Sequence, residues 1–174
     1  MKLLVLLLLV CFAPNVLGQS SEIDNFFQKD GISFWYPKDW YISEEDYDEE
    51  MDYHSVTIEK EGTESSGIVS ISWINVDFEL IEWMDIYTNL LTNQPFYIES
   101  KIKLEDLNEG KYNDENCKTL KFNFELDNEK YTGVIYGFQK SNKTISILTQ
   151  SSISEEEINK LGFEKIENSL TINQ

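Results

Sequence analysis

The sequence predicts an α+β fold, an antiparallel sheet of about six to seven strands flanked by helices. Three observations predict it. Leu120, Phe122, Phe124 and Leu126 alternate with Lys121, Asn123 and Glu125, the period of a strand with one buried face. Short turn signals at Asp127-Asn128 and Ser141-Asn142-Lys143 link that strand to two more, which makes an antiparallel meander. One stretch with a helical period, beginning after Asp77, interrupts the strands, and a second closes the chain after Ile153.

Residues 1–18 differ from everything that follows. Lys2 precedes an apolar run from Leu3 to Ala13, then Pro14-Asn15 and the small-residue site Val16-Leu17-Gly18. That is the pattern of a secretory signal peptide, and eleven apolar residues fall short of the ~20 needed for a stable membrane span. Export to a periplasmic or extracellular space is expected. Without Lys2 the chain keeps 13 lysines against 32 acidic residues, a net charge of −19, and it has no arginine. Nucleic acid is a poor partner for such a chain, because phosphate neutralisation needs a basic patch. Anionic lipid is disfavoured by the same sign. Cys117 is the one cysteine beyond the leader, so no internal disulfide staples the mature chain.

In chain order, residues 19–30 read as a short helix or a lead-in docking onto the core, followed by one domain over 31–174. Gly31 opens a strand in which Phe34 and Tyr36 alternate with Ser33 and Trp35. Pro37 ends it, and Trp40 and Ile42 begin another. From Glu44 to Asp52 seven of nine residues are acidic, which reads as an exposed loop. Val56 and Ile58 mark a half-buried strand, with His54 at its surface start. The segment 61–67 reads as a turn, and Ile68 to Ile74, apolar on both phases, as a central strand. Asp77 is the expected N-cap of an amphipathic helix burying Leu80, Trp83, Met84, Ile86, Tyr87, Leu90 and Leu91, which Pro95 ends. Phe96 to Leu104 alternates as a strand, and Asn108 to Glu115 is polar connection. After the meander, Ser154 and Glu157 form a capping box with an Ile153–Ile158 staple, and the apolar phase slips at Gly162, where a break is expected.

This order of elements, with Gly31-x-x-Phe34-x-Tyr36-Pro37-x-x-Trp40 at its start and Phe163, Ile166 and Ser169 near its end, resembles the PsbP-like family, named for the extrinsic P protein of photosystem II. The resemblance covers roughly residues 30–173. It implies a sheet sandwiched by helices, no catalytic centre, and a role in stabilising or assembling a larger complex.

Candidate chemistry is sparse. Cys117 and His54 are the only conventional nucleophile and base, and no motif surrounds either. Glu44, Glu45, Asp46, Asp48, Glu49, Glu50 and Asp52 offer hard oxygen ligands for calcium, without the spacing of a calcium loop. The aromatic stretch around Trp35 and Trp40 reads first as two core strands with an aromatic cluster between them; as the sharper alternative, Trp35 and Trp40 are the candidate partner platform. Asn142-Lys143-Thr144 matches a glycosylation acceptor, relevant in a eukaryotic secretory pathway. The leading expectation is an exported, non-catalytic, partner-binding domain without a cofactor, its partner another protein. An acidic calcium-binding protein is the alternative, and an enzyme the third.

Overall fold

The computed structural model describes residues 24–62 and 66–173, so the leader and the segment 19–23 lie outside the described residues. In chain order the elements are β1 (Asn25–Lys29), β2 (Ile32–Tyr36), β3 (Trp40–Asp48), β4 (Tyr53–Lys60), β5 (Ile68–Ile74), α1 (Leu80–Thr92) and α2 (Pro95–Glu99). There follow β6 (Lys103–Leu104), β7 (Asn108–Tyr112), β8 (Glu115–Leu126), β9 (Glu129–Lys140), β10 (Lys143–Ser152), α3 (Glu156–Ser169) and β11 (Thr171–Ile172).

The large sheet runs β3-β4-β5-β10-β9-β8, with β6 and β7 both pairing with β8. A small sheet, β1-β2-β11, lies apart from it, and the pairs in both are antiparallel. Two-residue hairpin loops set several of the registers. Asp30-Gly31, Asp127-Asn128 and Ser141-Asn142 all have positive φ at both positions, the type I′ geometry whose twist matches that of the strands it joins.

Alternation along the central strand β10 sends side chains to two cores. Ile145 and Ile147 face a layer made of the small sheet and α3, where Phe34, Trp40, Val56, Ile71, Trp73 and Ile166 pack. Ser146, Leu148 and Gln150 face α1 and α2. There Met84, Tyr87, Leu91, Tyr97, Phe122 and Ile135 form a second core. Two buried polar pairs tie that side together. Trp83 Nε1 donates to Ser146 Oγ at 2.6 Å, and the Tyr97 hydroxyl donates to Gln150 Oε1 at 2.6 Å. Two glycines of β9 leave room for side chains of this core. A Cβ on Gly137 would stand 2.2 Å from Met84 Sδ, and one on Gly133 would stand 2.2 Å from Phe122 Cζ.

Several expectations are corrected. The acidic stretch is not a loop: Glu44 to Asp48 continue β3, and only residues 49–52 turn. An edge strand needs one partner and little burial, so charge density does not forbid it. The lead-in carries β1, which pairs with β2. Phe96 does not begin a strand, because Pro95 sits in the first turn of α2, where its missing N–H costs nothing. Asn108 to Tyr112 is a strand rather than a connection. Glu79, not Asp77, caps α1, its carboxylate accepting from the Glu82 amide at 2.7 Å. Ile86 and Leu90 are exposed on that helix. The expected capping box does not form: the Ser154 hydroxyl donates to Glu129 at 2.7 Å, and Ile153 and Ile158 are both exposed. Nor does α3 break at Gly162.

Candidate functional site

Helix α1 lies over β8, β9 and β10. Beside it, the same face of β3, β4 and β5 forms an open groove of about 310 Å³. Its floor follows from strand alternation. Val56 and Ile58 point into the core on the other side, so Ser55 and Thr57 of β4 point into the groove, as do Ser70 and Ser72 of β5. These hydroxyls form a linked set. Thr57 Oγ1 donates to Ser70 Oγ at 3.2 Å, and the Tyr53 hydroxyl donates to Ser72 Oγ at 3.0 Å. One wall is helical, from Tyr87, Leu90 and Leu91 of α1 with Gln94 and Tyr97 beyond. The opposite rim carries Glu44 and Asp46 of β3 and Glu59 of β4.

Among the described residues no lysine lines the groove. Its field shows in the groups themselves. The neighbouring Asp46 charge, then partial burial and the charge of Glu59, push the Glu44 carboxyl above the ordinary carboxylate range. Burial pushes the phenols of Tyr53 and Tyr87 up as well, so both remain neutral hydrogen-bonding groups. The arrangement can hold a cation that also carries hydrogen-bond donors. It offers no activated nucleophile.

The residues singled out in the sequence do not converge. Trp40 is only 2 % exposed and lies in the core, edge-on to Phe163, so it is not a platform. Trp35 is 45 % exposed on the outer face of the small sheet, with its ring 4.8 Å from that of Phe26. Of the seven acids, Glu44 and Asp46 reach the groove. Glu45 points the other way and pairs with Lys29 at 2.5 Å. Asp48 accepts from the Glu50 and Met51 amides within the turn, at 2.9 and 3.1 Å. Glu49 and Glu50 are exposed in that turn. Asp52 accepts from Asn75 at 3.0 Å, which draws its carboxyl below the usual range. Among the described residues no group of three or more His, Cys, Asp or Glu side chains converges to hold a metal ion.

His54 is not at the surface. It is 7 % exposed, stacked on Trp73 at 5.1 Å, with Asp30 and Asp52 oxygens each 3.2 Å from one of its nitrogens. Cys117 is buried in β8, and burial pushes its thiol up to about 11. Four strand spacings separate β4 from β8, about 19 Å at ~4.8 Å each. The two side chains therefore cannot act as nucleophile and base together. The groove's hydroxyls went unnoticed in the sequence, although Ser55, Thr57, Ser70 and Ser72 mark the polar phase of two strands.

A broad antiparallel sheet with helices on one face, and a closing helix with a small sheet on the other, is a PsbP-like α+β fold, and this chain has it. Among solved structures it is similar to cyanobacterial PsbP (CyanoP) from Synechocystis sp. PCC 6803, with a TM-score of 0.54 and 11 % identity. That alignment covers 89 % of this chain and 95 % of the other. It is similar as well to LpqN of Mycobacterium tuberculosis, described as involved in cell envelope biogenesis. There the TM-score is 0.51 at 11 % identity, over 87 % of this chain and 91 % of that one. No family model matches the sequence, and no curated protein does.

Proposed function

We propose that the chain is an exported, non-catalytic accessory domain that holds a partner protein, and that the groove beside α1 is where it does so. The observation that carries this reading is the groove itself: a hydroxyl-floored face that, among the described residues, stands open with three carboxylates at its rim and no lysine lining it. Polar side chains arrayed in a concavity that the adjacent helix leaves open are built for an occupant rather than for packing. Export rests on the composition of residues 1–18, and the involvement of LpqN in cell envelope biogenesis agrees with it. The separation of Cys117 from His54 supports a binding role over a catalytic one.

The test is to fill the groove. Thr57→Trp places a large ring over the floor from a half-buried position. The variant should keep its circular dichroism spectrum and lose the partner recovered by cross-linking in the native source. Equal recovery from variant and unaltered protein would remove the groove, and recovery of monomer alone from both would remove the partner.

A further inference from the structure

We infer that the partner segment is an extended, lysine-bearing strand that adds to the free edge of β3. The inference rests on the partner-binding reading above and names the kind of chain bound. β3 is the outermost strand of the large sheet, paired with β4 on one side, and among the described residues no strand pairs with its other side. The register shifts between Ile42 and Glu44, and beyond that bulge Glu44 to Asp48 pair regularly with β4. These residues are all exposed, so half of their backbone hydrogen-bonding groups point outward along an open edge.

An open edge is a template for another strand, and main-chain pairing supplies affinity while alternate side chains supply choice. Here the side chains are Glu44, Glu45 and Asp46, followed by Tyr47 and Asp48. A second copy of this chain, paired edge to edge, would set carboxylate against carboxylate, which is unfavourable. The acids therefore discourage self-pairing and favour a strand of opposite charge. Lysines at every second position would face Glu44 and Asp46 on the groove side. Intervening residues would stand on the side of Glu45, whose charge Lys29 already engages.

The probe is the heptapeptide Lys-Thr-Lys-Val-Lys-Thr-Lys, titrated into the isotopically labelled protein and followed by amide exchange. Three controls accompany it: the same peptide with glutamate for lysine, the same peptide with proline at its third and fourth positions, and the Glu44→Gln/Asp46→Asn variant. Protection should appear in Glu44 to Asp48. The proline peptide lacks one ladder N–H and should bind at least about tenfold more weakly. The double variant should bind roughly fivefold more weakly, as expected for two exposed charge pairs, and added salt should reduce the difference. Equal binding of the proline peptide, or protection of the groove floor without β3, would overturn strand addition, as would no binding at all. The two readings fail separately. If Thr57→Trp loses the native partner while the lysine peptide never protects β3, only the strand falls. If the peptide protects β3 while Thr57→Trp keeps the native partner, only the groove falls.

Discussion

Two tryptophans five residues apart have opposite fates. Trp35 stands on the solvent side of β2, and Trp40 fills the core between β3 and α3. The helix approaches Trp40 closely enough that a Cβ on Gly162 would lie 2.4 Å from its Cζ2. Trp40→Ala should cost about 3–5 kcal/mol of stability, the usual range for a large aromatic lost from a core. Gly162→Val should cost about 1–3 kcal/mol by overpacking the same ring. Trp35→Ser should cost about 1 kcal/mol, chiefly the pair with Phe26. Urea denaturation of the three variants gives the order. The alternation Ser33-Phe34-Trp35-Tyr36 makes the outward Trp35 legible in the sequence. The burial of Trp40 agrees with the core reading of the same stretch, although the helix that covers it comes from the far end of the chain.

Glu155 makes a second argument at this scale. Its carboxylate accepts from the Ser66 hydroxyl at 2.7 Å and the Ser66 amide at 2.8 Å. The hydroxyl first, and the amide after it, hold the carboxyl below the ordinary glutamate range. A lowered folded value means stabilisation that is present above the unfolded value and lost as pH falls through the folded one. Glu155→Gln should therefore be less stable than the unaltered protein at pH 7, and the gap should be smaller at pH 3. Paired urea titrations at the two pH values measure it, and a gap that stays constant would mean the charge of Glu155 contributes nothing.

Among the elements, β3 shows why acidic side chains belong on a strand. A free sheet edge invites pairing with another copy, and charges along it prevent that. Neutralising them in Glu44→Gln/Glu45→Gln/Asp46→Asn should leave the fold intact and allow self-association, visible as a concentration-dependent shift in sedimentation velocity. A variant that stays monomeric at high concentration would show that the bulge alone protects the edge. The elements that the sequence failed to disclose share a cause: the deciding partner is distant. Phe96, Ile98, Ile102 and Leu104 alternate well enough for a strand, but Pro95 starts a helical turn that tucks Tyr97 against Gln150 of β10. Ser154 and Glu157 have capping-box spacing, yet Glu129 takes the serine hydroxyl. β11 has only two residues and exists because β2 offers Ser33 and Ile32 as partners. The meander was plain because β8, β9 and β10 need only each other and two short turns. The groove was half legible. Its hydroxyls show as the polar phase of β4 and β5, but α1 decides that this face borders a cavity.

At the scale of the whole molecule, one sheet serves two cores, and its strands carry residues of both. Ile145 and Ile147 alternate with Leu148 on β10, and Cys117 shares β8 with Leu120, Phe122 and Phe124. Neither layer can melt without stripping a face from strands the other needs, so unfolding should be a single cooperative event. The chain carries its own probes for both sides. Cys117 reports on the core under α3, and Trp83, tied to Ser146, reports on the layer under α1. With its thiol raised to about 11 and buried, Cys117 should react with a disulfide reagent at pH 7.4 at least about a hundredfold more slowly than a free thiol, since only the thiolate attacks. As urea rises, its labelling should accelerate over the same interval in which the near-ultraviolet signal of the buried tryptophans collapses. If Cys117 became reactive well before that signal fell, the small sheet and α3 would be opening on their own, and the two layers would be separate units sharing a sheet.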